Sequence, residues 1–323
     1  MTDGLIIVDR QPIGADGMCR DTGDWNRFVD DHPSGWWWHR DEWLDYCLAY
    51  DSKARDRSFA ILKTGTQALH GRQSREVLAI CPAIERDGMI RMGDDPCAGP
   101  LSLPDRQVQN EMMKAIAIRL AGLDCAWRWN RVPKANGELL TALLSQGGWS
   151  HSAWNTAVIS SDNPHRWRSI RKSYRSIIHK AQRDCDLEWG TTYWPYYEAC
   201  HRQTATRPRS DATYRHQEQW VKDGFAQVFV AFPKDRTPDC PLAASLVIEY
   251  KGHGYYASGP SMQKNLQHAL QWLAMESLTK RGLDTYELGW IDRHGEDDSI
   301  GFFKRGFGGD LWSVDMVEGE ITA

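Results

Sequence analysis

The feature that most constrains this chain is a recurrence of its landmarks. "CAGPLSLP" carries Gly99-Pro100, and "YASGPSMQ" carries Gly259-Pro260, 160 residues later. "RLAGLDCAWRW" carries Gly122-Leu123-Asp124, and "TKRGLDTYELG" carries Gly282-Leu283-Asp284 at the same offset. "LLSQGGW" and "FFKRGFGG" then bring Gly147 and Gly306 into line, one residue out of step. Three matches in one order at nearly one spacing predict a duplicated unit, and the 323-residue length suits two domains.

Each copy reads alike between its landmarks. Val108, Met112, Ala115, Ile116 and Leu120 recur at helical spacing after the first Gly-Pro. Leu266, Leu270, Leu273, Ala274 and Leu278 do so after the second. Each helix is expected to stop at Gly122 or Gly282, because a glycine past the last turn turns left-handed without a Cβ clash. A strand follows ("CAWRWNRV", "DTYELGW"), then a short helix closed by glycines ("GELLTALLSQ", "DSIGFFKR"). Upstream of the second Gly-Pro lie "AQVFVAF", "LAASLVIEY" and "HGYYASG", the last two joined by a hairpin turn at "KGHG". The sequence therefore predicts an α+β chain of two similar domains, each a mixed, mostly antiparallel sheet flanked by helices. The expected domains are 1–155 and 156–309, with a last strand, about 310–323, free to pack on the first.

Between the copies, 164–184 holds Arg166, Arg168, Arg171, Lys172, Arg175, Lys180 and Arg183 around Ile170, Tyr174, Ile177 and Ile178. One amphipathic basic helix is expected, either a solvated face or a strip for phosphates. The formal net charge is −4, so any contact with nucleic acid must be local. No segment has the apolar length of a spanning helix or the pattern of a signal peptide, and a cytoplasmic monomer without stable membrane insertion is expected. The eight cysteines form no CxxC pair and are expected to be reduced. The run Asp292, His294, Glu296, Asp297 and Asp298 lacks the spacing that organises a metal site, so no metal is expected.

Helix, hairpin, Gly-Pro, helix, "GLDTYELG" and "FFKRGFGG" together resemble the second domain of the FemABX family. That family is built from two tandem acyltransferase domains of the GNAT type. Its FK-x-x-F/Y-G-G signature is matched by Phe303, Lys304, Gly306, Phe307, Gly308 and Gly309. "SIRKSYRSIIHKAQR" resembles the family's basic segment before the second domain, and "WNRFVDDHPSGWWWHRDEW" its amino-terminal helix and turn. The likeness runs along nearly the whole chain and is clearest toward its end, and the coiled-coil arm of some members is absent. It implies two tandem GNAT-like domains. It further implies transfer of an amino acid from aminoacyl-tRNA to an amine-bearing acceptor: a peptidoglycan precursor, a peptide or a natural product. No bound cofactor is implied beyond that co-substrate. By the same resemblance Lys304 would bind the reacting ester and the tRNA end, with the Phe303 ring supporting it.

The residues themselves say what chemistry would be needed. Attack of an amine on an ester forms an oxyanion, and a pre-placed cation stabilises it. Lys304 suits that role, or it snorkels beside the phenylalanines; the first copy has Gln146 near the equivalent place. Acyl-CoA users present glycines where a helix N-terminus cradles the pyrophosphate. Here "QKNLQHA" puts Leu266 and His268 at those positions, which makes CoA the less favoured donor. Strand alternation puts Tyr256 and Ser258 on one face, read as lining a channel or as sheet packing. His294 is a candidate base for the incoming ammonium, although the acceptor's own groups would serve equally. Arg207 and Arg209 of "RPRSD" could grip a carboxylate or phosphate, as could Arg171 and Arg175 of the basic segment. "GWWWHR" is read as packing or as a stacking platform, with Arg40 and His39 within reach of acceptor phosphates. The rival readings are acyl-CoA-dependent N-acylation of an amino-sugar for cell-surface polysaccharide, and a non-catalytic binding protein of the same fold.

Overall fold

The computed structural model describes residues 5–10, 25–64, 75–92, 95–129, 148–206, 209–236, 240–291 and 299–321. The chain divides into two units, Met1–Ala153 with Val314–Ala323, and Trp154–Ser313.

In the first unit the described elements are β1 (Leu5–Asp9), α1 (Trp25–Asp31), α2 (Asp41–Tyr50), β2 (Arg55–Asp56) and β3 (Phe59–Thr64). They continue as β4 (Arg75–Cys81), β5 (Ile84–Arg86), β6 (Met89–Ile90), β7 (Cys97–Ala98), β8 (Leu101–Ser102), α3 (Arg106–Arg119) and β9 (Asp124–Trp129). Strands β1-β3-β4-β8 form one antiparallel sheet. Strand β9 carries the short β6 and β7 as parallel neighbours, and β5 and β2 follow β6 in antiparallel order. Asp105 caps α3 through the amides of Gln107 and Val108, and Gly122 takes a positive φ just beyond the helix end. The run Trp36, Trp37 and Trp38 is buried, as are His39 and Arg40. Arg10 is buried as well, and its charge is matched by Asp41, Asp45 and Asp56 at 2.9, 2.9 and 2.7 Å.

The second unit begins within β10 (Trp149–Ser160) and continues through α4 (Arg166–Ser169), α5 (Lys172–Asp184), β11 (Cys185–Trp189), α6 (Trp194–Thr204) and α7 (Asp211–Lys222). Then come β12 (Ala226–Pro233), β13 (Ala243–Tyr250), β14 (His253–Ser258), α8 (Leu266–Lys280), β15 (Thr285–Trp290) and α9 (Ser299–Arg305). The last strand, β16 (Asp310–Glu320), pairs antiparallel with β9 from Asp315 opposite Trp129 to Glu320 opposite Asp124. The sheet order is β11-β12-β13-β14-β15-β10, antiparallel throughout except for the parallel pair β14·β15. Tyr250 pairs with His253 across a two-residue turn in which Lys251 and Gly252 both have positive φ. This turn geometry matches the twist of the strands it joins.

One face of this sheet carries a core of Val247, Tyr286, Leu288, Ala157 and Ile159, packed under Leu266, Leu270 and Leu278 of α8 and Tyr174 and Ile178 of α5. Both units are thus mixed, mostly antiparallel sheets flanked by helices. The single basic helix expected over 164–184 is two helices. The break falls at Ile170 and Arg171, both with ψ near 135°. The extended backbone there buries the Ile170 side chain and lets the Arg171 amide donate to the Gly306 carbonyl at 2.8 Å. The matching short helix expected near Gly137–Gln146 lies outside the described residues.

Candidate functional site

The segment from Phe302 to Gly309 is built by two opposed demands. Phe303 and Phe307 turn inward, with ring centroids 5.1 Å apart and 4.9 and 6.1 Å from the buried His268 ring. The glycines permit close approach. A Cβ on Gly306 would lie 2.1 Å from the Tyr174 ring, one on Gly308 2.9 Å from Ser169, and one on Gly309 2.6 Å from the Val158 carbonyl. The turn is therefore pressed onto α4, α5 and β10, and this fixes the end of α9. With the two rings inward, Lys304 leaves the helix in another direction. Its ammonium donates to the Trp290 carbonyl at 2.8 Å.

That carbonyl belongs to the place where β14 and β15 part. Their parallel pairing runs from His253 opposite Thr285 to Tyr255 opposite Glu287 and goes no further. Irregularities flank the parting. On one side Leu246 pairs with Ser258 but Val247 with Tyr256, and on the other Ala157 pairs with Gly289 but Val158 with Glu287. Such bulges bend strands and re-aim side chains. Gly289 sits in the parting with φ +80; a Cβ there would lie 3.2 Å from Lys304 Nζ and 3.3 Å from the Tyr255 hydroxyl. Tyr286 and Leu288 face the α8 core, so alternation sends Glu287 to the opposite face, which its β14 partner Tyr255 shares; the Tyr255 hydroxyl in turn lies beside Gly289. There the Thr156 hydroxyl donates to Glu287 Oε1 at 2.7 Å. Lys304, Tyr255, Glu287 and Thr156 thus share one region, with a cation and a carboxylate in it.

Several expected site residues fall elsewhere. Tyr256 and Ser258 are read from the sequence either as lining a channel or as sheet packing; the phenol that shares the surroundings of Gly289 with Lys304 is that of Tyr255. Tyr256 packs against the α8 core, its hydroxyl 3.5 Å from Gln267 Oε1, and burial pushes its pKa up. Ser258 ends β14 opposite Leu246. Arg209 is held within the second unit by the Tyr197 hydroxyl (3.1 Å) and Gln217 (2.9 Å). Arg40 is buried in the first unit against Asp30 and Glu42, an internal ion-pair role in place of the phosphate contact expected for it. His294 and Arg207 lie outside the described residues.

Arg171 stands at the glycine turn, its amide bonded to the Gly306 carbonyl, and Arg175 follows one turn along α5. The Arg171 guanidinium lies 3.8 Å over the ring of Phe302, which is 55% exposed, and 5.1 Å from Tyr174. Arg175 and the exposed Arg168, Lys172, Lys180 and Arg183 have no side-chain hydrogen bond or ion pair among the described residues. At the N-terminus of α8, Asn265 is left-handed and Leu266 and His268 are buried. The His268 ring meets Tyr174 edge-on at 4.2 Å, and burial lowers its pKa. Among the described residues no group of histidine, cysteine and acidic side chains is placed to hold a metal, and the described cysteines are free thiols. No described helix is long and apolar enough to cross a membrane.

Sheets with a parting parallel pair, a helix packed over it and a second unit of like construction define the tandem GNAT fold, in its FemX-like form. No family model and no curated protein sequence matches the chain. Among solved structures, FemX superposes with a TM-score of 0.61 at 15% identity, covering 90% of this chain and 94% of that one. A tandem GNAT protein from the clavulanic acid biosynthesis pathway covers 98% of both chains at 12% identity, TM-score 0.51. L-PGS from Bacillus licheniformis matches at 11% identity over 74% of this chain and 80% of that one, TM-score 0.51.

Proposed function

We propose that the chain is an aminoacyltransferase that moves an amino acid from aminoacyl-tRNA to an amine-bearing acceptor, forming an amide. The observation that carries this reading is the Lys304 ammonium, bonded to the Trp290 carbonyl in the parting of β14 and β15. A reacting ester laid in that parting would develop its oxyanion beside a fixed positive charge. A charge already in place stabilises the transition state without reorganising as the reaction proceeds. The cations of α4 and α5 supply local charge for a phosphate backbone that the net charge of −4 does not. The likeness to FemX favours an aminoacyl donor, and the likeness to a tandem GNAT protein of clavulanic acid biosynthesis keeps acyl-CoA as the second reading. We place the enzyme in the cytoplasm, where charged tRNA is available.

The test supplies charged tRNA and, separately, acetyl-CoA, each with a panel of amines, with and without ribonuclease. Amide formation from charged tRNA that ribonuclease abolishes is the expected result; product from acetyl-CoA alone would replace the donor. Lys304→Ala should lower the rate about 100-fold or more, equivalent to about 3 kcal/mol of transition-state stabilisation. Activity within a few-fold of wild type would remove Lys304 from the mechanism.

A further inference from the structure

An amine acceptor reaches neutral pH as an ammonium, which has no lone pair with which to attack. The transfer proposed above therefore needs a proton acceptor beside the ester, and a carboxylate serves when it is held within reach. We infer that Glu287 is that acceptor, held by Thr156.

Four observations place it. Glu287 is the last β15 residue to pair with β14 before the strands part, so its side chain stands at the edge of the opening. Its neighbours Tyr286 and Leu288 are buried toward α8, which leaves Glu287 on the face of Tyr255, its partner on β14. Lys304 Nζ and the Tyr255 hydroxyl both lie within 3.3 Å of a Cβ position on Gly289, two residues along the same strand. Thr156, 2% exposed on the adjoining β10, donates its hydroxyl to Glu287 Oε1. That bond fixes the carboxylate's orientation, and an ionised carboxylate is the form that accepts a proton. The opening thus presents a cation for the oxyanion and an anion for the ammonium. Both charges assist acyl transfer to an amine.

The step balances as follows. One N–H proton of the ammonium passes to Glu287, and the freed nitrogen lone pair attacks the ester carbonyl carbon. The carbonyl π pair moves onto oxygen, toward Lys304. Collapse re-forms the carbonyl and breaks the bond from carbon to the donor's leaving oxygen (sulfur, if the donor is a thioester). The leaving atom departs with the electron pair and takes the second proton from nitrogen. Glu287 then releases its proton to solvent, and the net products are amide, leaving group and one proton.

This assignment rests on the transfer reading, and the experiment separates the two. Wild type, Glu287→Gln and Glu287→Asp are assayed with each donor against two acceptors: ethanolamine, an ammonium at neutral pH, and hydroxylamine, uncharged there. Glu287→Gln keeps an oxygen for the Thr156 hydroxyl, and urea midpoints verify that the variants fold. The expected result is a loss of about 100-fold in kcat/KM toward ethanolamine, with the acid limb of the pH profile abolished. Hydroxylamine should be used within about ten-fold of wild type, and Glu287→Asp should keep the acid limb. Equal losses toward both acceptors, or none toward either, would overturn the role of Glu287 while leaving the transfer reading intact. A wild-type protein inert toward both acceptors with both donors would end the transfer reading and this assignment with it.

Discussion

Gly289 and Gly282 offer a matched pair of substitutions that isolates the contribution of the parting between β14 and β15. Both have left-handed backbones, with φ of +80 and +77. Alanine in that conformation costs about 1–2 kcal/mol through the clash of Cβ with the following carbonyl. Gly289→Ala and Gly282→Ala share that term. They differ in what the new methyl meets. At Gly282 nothing lies within 4 Å, whereas at Gly289 Lys304 Nζ and the Tyr255 hydroxyl lie 3.2 and 3.3 Å away. Both neighbours are ends of flexible side chains, so they yield by a few tenths of an ångström. Folding should therefore lose little beyond the shared term, and the positions of the ammonium and the phenol should change. Misplacement by 1 Å can lower a rate about 100-fold, so a shift of this size should lower it roughly ten-fold. Urea denaturation should show both variants destabilised alike, by about 1–2 kcal/mol. The amide-forming assay should find Gly282→Ala near wild type and Gly289→Ala about ten-fold slower. Full activity in Gly289→Ala, or an equal loss in Gly282→Ala, would refute the placement of the site around Gly289.

The two adjacent phenylalanines should separate just as clearly. Phe303→Ala removes a ring packed against His268 and Phe307 and should cost about 3 kcal/mol in urea denaturation, the low end for a core phenylalanine. Phe302→Ala removes an exposed ring lying under the Arg171 guanidinium and should cost less than about 1 kcal/mol. The first unit should weaken in acid through His39. Its Nε2 faces the Gly99 carbonyl at 3.1 Å and so carries the proton, which leaves Nδ1 to accept the Trp36 amide at 3.1 Å. Burial lowers its pKa to about 3, whereas the unfolded chain titrates near 6.5. Below pH 6.5 the unfolded state therefore binds the extra proton, and stability falls as pH drops toward 3. The slope from this group is up to about 1.4 kcal/mol per pH unit. Unfolding midpoints of wild type and His39→Gln compared from pH 7 to 5 should show a shallower acid loss in the variant.

The elements with local signals were readable from the sequence. The α8 helix, its glycine stop and the two-residue turn at Lys251-Gly252 all rest on spacing and on residues whose backbone preferences are strong. So does the segment that carries Lys304. The rest depends on pairing between distant strands. Alternation correctly opposes Tyr255 and Tyr256, but which of them faces Lys304 is decided by the register of β14 on β13 and β15. Glu287 stands inside "TYELGW" as an ordinary polar residue of a half-buried strand until Thr156, from β10, is set beside it. The break at Ile170-Arg171 has no local cause, since neither residue disrupts a helix. It answers to Gly306, whose carbonyl takes the Arg171 amide. A one-residue periodicity argument has no access to such a partner. Glycine at 289 carried a faint signal, a flexible residue inside a strand pattern, which marks a bulge or a close approach.

The seat of Gly306 on the Tyr174 ring makes two positions far apart in the chain behave as one heritable character. A side chain acquired at 306 collides with the ring, while a smaller residue acquired at 174 leaves a hole beneath the turn. Either step alone lowers fitness by way of stability, so a lineage can leave this state only by taking both together. Descendants of this chain should therefore keep glycine and the aromatic ring as a couple or lose them as a couple. The segment that presents Lys304 is thus shielded from gradual drift by a residue that takes no part in the chemistry.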